Sequence, residues 1–117
     1  KSLSDDLFNT GSILLVARAG EKVLGYIGMR FVLDECYITN IAVTLRHRRE
    51  GIGKKLVIQA CKEAKGREAV FITLEVRPSN EAALRLYEEC GFLKEGMRTN
   101  FYTSPDEDGI IMTKRFN

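Results

Sequence analysis

Gly51 and Gly53 stand two residues apart behind a basic turn, Arg46-His47-Arg48-Arg49-Glu50, and open a run with helical periodicity. A helix N-terminus leaves backbone N–H groups unpaired and carries partial positive charge. Glycine there lets a ligand oxygen approach the backbone, and neighbouring arginines add bidentate hydrogen bonds. The combination suits a diphosphate. Two further side chains could move protons. Glu75 is a carboxylate within the apolar run Ala69 to Val76, where an unpaired charge is costly. Tyr87 places a phenol among the apolar positions of a second helical run.

The glycine pair is neither of two common phosphate cradles. A Walker loop requires G-x-x-x-x-G-K-[ST], but here Lys54 is followed by Lys55. A dinucleotide fingerprint requires glycine where Leu56 stands. On its own, G-x-G also fits a glycine-rich turn with a solvated basic face. Glu75 is equally open between a proton acceptor and a strand-end acid that reaches solvent or pairs with Arg77. Tyr87 is open between a proton donor and a core tyrosine bonded to backbone.

The elements that must position these groups follow from periodicity. Ser12 to Ala19 and Val23 to Leu33 read as a hairpin around Gly20, and Cys36 to Val43 as a third strand of an antiparallel meander. Gly25 and Gly28 inside the second strand predict a bulge or a close approach of chains. Gly51 to Lys65 is an amphipathic helix with Ile52, Leu56, Val57, Ala60 and Ala64 on one face, and Gly66 is its stop. Ala69 to Val76 reads as a central strand buried on both faces. Ser79 or Asn80 can cap the next helix, which runs to about Cys90, with Gly91 as its stop. Phe92 to Tyr102 and Ile110 to Phe116 are two more strands, joined by a polar loop over Thr103 to Gly109. The fold class is mixed α/β: a mostly antiparallel sheet covered by two helices. At 117 residues the chain is long enough for one domain with its own core.

Composition narrows the function. Eighteen basic and 16 acidic residues leave a net charge of +2, which speaks against bulk electrostatic binding of nucleic acid. Cys36, Cys61 and Cys90 are far apart, and with a single histidine no metal-ligand spacing occurs. We expect no metal, and reduced thiols in the core of a cytoplasmic protein. No apolar run approaches the ~20 residues that span a bilayer, and no signal peptide is read; no membrane partner is expected.

Three separated pieces occur in order: Arg48-x-x-Gly51-x-Gly53, then Leu74-Glu75-Val76-Arg77-Pro78-Ser79-Asn80, then Ala83-Leu84-x-Leu86-Tyr87-Glu88-x-Cys90-Gly91-Phe92. Together they resemble the GNAT acetyltransferases, which use acetyl-CoA and carry [QR]-x-x-G-x-[GA] at the mouth of a helix. The second and third pieces are similar to the N-terminal acetyltransferases. The ending, Asn100-Phe101-Tyr102 and Glu107 to Met112, is similar to the bacterial branch that acetylates the N-terminal alanine of a ribosomal protein, the RimI type. The resemblance covers roughly residues 12 to 116. It departs at Glu50, where a neutral or basic residue is commoner. It also implies a first strand and first helices ahead of Lys1, so that residues 1–117 form a single acetyltransferase domain with its N-terminal elements missing.

The resemblance implies a V-shaped splay between the two central strands and direct transfer of acetyl from CoA to an amine. The CoA arm would lie in the splay against Ile41, Ala42 and Val43, with the Val43 N–H polarising the thioester carbonyl. Backbone groups from Arg48, Arg49, Glu50, Gly51, Ile52, Gly53 and Lys54 would hold the diphosphate, and Asn80 would bond the arm. Glu75 would take the proton of the amine and Tyr87 would supply one to the departing thiolate. Tyr102 with Arg30 or Arg98 would line the peptide groove. The acids Asp106, Glu107 and Asp108 read as a solvated loop or a contact for a basic ribosomal partner. The expected partner is a protein N-terminus, with the enzyme a monomer or dimer. An acetyltransferase for a small amine and a non-catalytic CoA-binding module are the alternatives.

Overall fold

The computed structural model describes residues 11–44 and 51–116. The basic turn Arg46 to Glu50 lies outside them. The elements are β1 (Ile13–Ala19), β2 (Lys22–Val32), β3 (Glu35–Val43), α1 (Ile52–Gly66), β4 (Phe71–Val76), α2 (Glu81–Glu89), β5 (Leu93–Tyr102) and β6 (Glu107–Arg115). The strands form one sheet in the order β1-β2-β3-β4-β6-β5. Among the described residues only β3 and β4 pair in parallel, across the crossover that contains α1.

That parallel pair is short, and its shortness makes the site. Pairing is confined to Glu35↔Phe71, Cys36↔Ile72 and Tyr37↔Thr73, although β3 continues to Val43 and β4 to Val76. Beyond Tyr37 the two strands part, as the V-shaped splay requires. The β2–β3 register slips between Gly28 and Met29, leaving Thr39 as an extra residue on β3. A bulge bends the strand that carries it, and this one lies two residues past the last β3–β4 pair. Gly28 is glycine because of it: a Cβ there would fall 2.2 Å from Asn40 Oδ1 and 2.8 Å from Thr39 Oγ1. At Gly25 a Cβ would meet the Ala42 carbonyl oxygen at 2.7 Å. The bulge and the close approach expected at these glycines both occur.

The core lies between one sheet face and the two helices. Ile52, Leu56, Val57, Ala60, Cys61 and Ala64 of α1 are buried at helical spacing, against Ile27, Met29, Cys36, Ile38, Ile72 and Leu74. Removing a side chain such as Leu56 from a core of this kind costs about 2–5 kcal/mol. The reading of β4 as buried on both faces needs correction. Ile72, Leu74 and Val76 are buried, whereas Phe71, Thr73 and Glu75 are only half-buried, so among the described residues helices cover one face alone. Gly66 is the last residue of α1, and Arg67 caps it with its N–H on the Glu63 and Ala64 carbonyls. The Asn80 side chain caps α2, its Oδ1 accepting the Ala83 N–H at 3.1 Å. Gly91, at φ 95°, ends α2 in a Schellman turn: the Phe92 N–H donates to Tyr87 and the Gly91 N–H to Glu88.

The last strand begins at Glu107 rather than Ile110. Glu107 and Asp108 are therefore strand residues and not a solvated loop. Asp108 accepts the Asn100 N–H at 2.8 Å, and Glu107 is drawn into the site described below. All three cysteines are free and buried. Burial, with Cys61 nearby, pushes the Cys36 thiol up to about 12, and burial also raises Cys61 and Cys90. None is a thiolate at neutral pH.

Candidate active site

The splay opens a cleft of about 260 Å³ bounded by Ile38 to Ile41 of β3, Leu74 to Arg77 at the end of β4, Asn80, Ala83 and Tyr87 of the α2 region, and Tyr102. Strand alternation in β4 and the inner face of α2 bring the two candidate proton carriers to this gap from opposite sides. Leu74 and Val76 point into the helix-covered core, so Glu75 stands on the open face of the sheet. Tyr87 belongs to the core on the helix side, its ring 5.5 Å from Phe92. A carbonyl lying in the splay would have a carboxylate on one side and a phenol on the other.

Glu75 is 29% exposed and is held by Arg98, whose Nη1 donates to Oε2 at 2.9 Å. Arg98 in turn lies over the Phe101 ring at 4.8 Å. The partner anticipated as the bland alternative, Arg77, is engaged elsewhere. Around Glu75 sit two phenols. Burial raises the pKa of Tyr102, with the Glu75 carboxylate adding to the shift and Arg77 opposing it. The Tyr37 hydroxyl, hydrogen-bonded to Glu35, is raised first by that bond, then by burial and the Glu35 and Glu75 charges. Arg30 stands opposite Tyr37 in the β2–β3 register, one strand from the gap, whereas Arg98 on β5 lies two strands from it and reaches across β6 to Glu75. Burial, then Tyr102 and Cys90, pushes Tyr87 up to about 12. It therefore keeps its proton across the physiological range.

Past Ile41, the last β3 residue to line the cleft, β3 runs on through Val43 toward the start of α1. Thr44 N–H donates to the Leu24 carbonyl, and the pairs Gly25↔Val43, Tyr26↔Ala42 and Ile27↔Ile41 follow. Hydrogen-bonded and open pairs alternate in an antiparallel ladder. Ala42 thus turns its polar groups to β2, while Ile41 and Val43 turn theirs to the β4 side. Of the three residues assigned to the CoA arm, Ala42 contributes no backbone hydrogen bond to the cleft. At the start of α1, Gly51 adopts φ 80°, and among the described residues nothing lies within 4 Å of a Cβ placed on it. Its glycine is demanded by conformation. Among the described residues no side chain caps α1 and no acid lies in its first turn, and the first helical bond is Lys55 N–H to the Gly51 carbonyl. The N–H groups of Ile52, Gly53 and Lys54 thus begin the helix without a side-chain cap, a disposition that fits a diphosphate. Gly53 also packs 3.4 Å from Leu86 of α2. The Lys54 ammonium is 3.7 Å from Glu89. Arg48, Arg49 and Glu50, with Arg46 and His47, lie outside the described residues.

Sequence reasoning missed two members of the site, Arg77 and Glu107. The Arg77 guanidinium donates to the carbonyls of Thr103 at 2.8 Å and Pro105 at 2.9 Å and to Glu107 at 3.2 Å, and stacks 4.6 Å from the Tyr102 centroid. Glu107 also accepts the Ser79 hydroxyl at 2.8 Å and the Ser79 N–H at 3.2 Å. The Ser79 hydrogen bonds and Arg77 hold its carboxyl below the usual carboxylate range. The only signal was an arginine and a serine flanking a proline after an apolar strand. Nothing local ties those to an acid 28 residues on. Among the described residues no cluster of His, Cys, Asp and Glu could hold a metal ion, and no helix is long and apolar enough to cross a membrane.

Comparison with known proteins agrees with this geometry. The pattern of the acetyltransferase (GNAT) family matches residues 2–92. The [ribosomal protein bS18]-alanine N-acetyltransferase of Escherichia coli (strain K12) is 40% identical over 93 residues, covering 78% of this chain and 63% of the relative; the chain thus spans less than two thirds of that relative's length. The crystal structure of the ribosomal-protein-S18-alanine N-acetyltransferase from Escherichia coli superposes with a TM-score of 0.83 at 34% identity, over 98% of this chain and 77% of that one. A candidate streptothricin acetyltransferase from Bacillus anthracis str. Ames, in complex with acetyl coenzyme A, superposes with a TM-score of 0.81 at 31% identity, over 91% of this chain and 63% of that one. Splayed central strands, an uncapped glycine-led helix and a family match over residues 2–92 converge: the chain belongs to the GNAT family of acetyltransferases.

Proposed function

We propose that residues 1–117 are a single domain of an acetyl-CoA-dependent enzyme that acetylates the N-terminal α-amine of a protein, a ribosomal protein by likeness to the Escherichia coli enzyme. The observation that carries this reading is the placement of Glu75 and Tyr87 on opposite sides of the β3–β4 splay. Acetyl-CoA, when bound, supplies an activated acyl carbon. The uncapped start of α1 accommodates its diphosphate, and the β4-facing backbone of Ile41 and Val43 runs along its arm. Asn80, at the mouth of α2, is placed to bond that arm.

Glu75 attracts the substrate ammonium and takes its proton, directly or through water. The freed lone pair forms the C–N bond as the C–S bond breaks. Tyr87 faces the departing sulfur. With a pKa near 12, against about 8.5 for a free thiol, Tyr87 stabilises the thiolate as a hydrogen-bond donor more than by giving up its proton. An α-amine, with a reference pKa of about 7.7–8.0 against about 10.4 for lysine, suits a carboxylate base. The buried cysteines, all protonated, are left out of the reaction.

A small-amine acceptor is the second reading, favoured by the likeness to the Bacillus anthracis protein. Mass spectrometry of peptides with varied first residues, and of a small-amine panel, after incubation with acetyl-CoA separates the two. Acetylation at the peptide α-amine is the expected result, and acetylation of small amines alone overturns it.

A further inference from the structure

We infer that Arg77, Ser79 and Glu107 form a clasp that sets the acceptor wall of the cleft, making Arg77 and Glu107 positioning residues for the amine substrate. The inference rests on the proposed acetyl transfer. It adds how the enzyme builds an acceptor site from a hairpin whose outer strand, β5, adds little to the core.

The β5–β6 hairpin needs such a device. Every residue of β5 except the half-buried Tyr102 is exposed, and β5 lies at the sheet edge, paired with β6 alone. Its pairing is irregular near the tip, slipping between Arg98 and Tyr102. Burial of the rest of β5 therefore does little to hold its tip at the cleft. Arg77 does it instead. Its fork takes two carbonyls from the hairpin turn and the Glu107 carboxylate, while its plane lies against the Tyr102 ring. Glu107 closes the ring of contacts by accepting both Ser79 donors. Arg77 and Ser79 follow Glu75 directly in the chain. One short segment thus carries the proton acceptor and the anchors that place the wall beside it. Lysine could not replace Arg77, because a single ammonium lacks the planar fork and the stacking face.

The test uses the full-length protein with Arg77→Lys and Glu107→Gln, read in two ways. Hydrogen exchange without any substrate is expected to accelerate at least about tenfold at the amides of residues 101–108, with β4 and α2 unaffected; unchanged protection there overturns the clasp. In steady-state assays the acceptor KM is expected to rise about tenfold while the Kd for acetyl-CoA moves less than about twofold. Tyr102→Ala should raise the acceptor KM similarly, and adding Arg77→Lys to it should add little, since the positioned ring is already gone. Equal shifts for both substrates, or full additivity, overturn the positioning role. A parental enzyme that acetylates no amine defeats the proposed function instead, and the exchange data still judge the clasp. If Arg77→Lys does not fold, the milder Glu107→Gln decides.

Discussion

Toward the start of α1 the groups proposed to face a ligand belong to the backbone: the N–H groups after Gly51 and the β4-facing edges of Ile41 and Val43. At the β5–β6 end they are side chains in charged and aromatic pairs: Glu75 with Arg98, Arg77 with Glu107, Tyr102 beneath Arg77. Backbone groups are fixed once the helix and bulge form. They suit a ligand that is the same in every turnover. Side chains can be exchanged without refolding the sheet, so on the proposed acetyl transfer the β5–β6 end is where a scaffold of this kind would change its choice of amine.

This contrast can be broken at either end. Glu75→Gln should reduce kcat/KM for the peptide by about 10²–10⁴-fold, with acetyl-CoA affinity measured by calorimetry nearly unchanged; comparable turnover at all pH values would remove Glu75 from its role. Gly51→Ala forces a Cβ into the φ 80° conformation, a strain of about 1–3 kcal/mol. The loss should appear in denaturant unfolding and as weaker acetyl-CoA binding, while acceptor KM stays put.

Tyr87→Phe should lower kcat by about tenfold. Because the phenol is neutral below its pKa of about 12, wild-type kcat should show no falling limb between about pH 6 and 10; a limb near pH 9 would mean that a different group donates. Arg98→Gln removes an exposed competitor for the Glu75 carboxylate. The acceptor KM should fall about two- to fivefold, the range of an exposed ion pair, and a rise would show that Arg98 orients Glu75 instead. The smallest effect concerns acid stability. Glu107 titrates lower in the folded chain than the usual carboxylate, so its contribution is present above the unfolded pKa of about 4.3 and is lost as pH falls through the folded value. The difference in Tm between wild type and Glu107→Gln should therefore shrink as the pH drops from 7 toward 3.

Much of this was legible in the chain. Period-2 and period-3.6 patterning marked the strands and both helices to within a few residues, because local hydrophobic periodicity is what commits a segment to one face of a core. Asn80 and Gly91 announced the ends of α2 through the chemistry of caps. Gly25 and Gly28 signalled a close approach, although the partner atoms, Ala42 oxygen and the Thr39–Asn40 bulge, were not visible. The start of β6 was misread because Glu107 and Asp108 resemble a solvated loop when their partners lie far away in sequence.

What the amino-acid order determined by itself was local: which segments are strands or helices, where glycine must stand, and which residue types could bind a diphosphate or move a proton. What the tertiary structure alone decided was pairing at a distance. The early end of the β3–β4 ladder, the choice of Arg98 over Arg77 for Glu75, and the capture of Glu107 by Ser79 and Arg77 all join residues more than 20 positions apart. Hydrophobic period and capping act over one or two turns of chain. Charges and hydrogen bonds on a folded sheet go to whichever partner the strand order brings near.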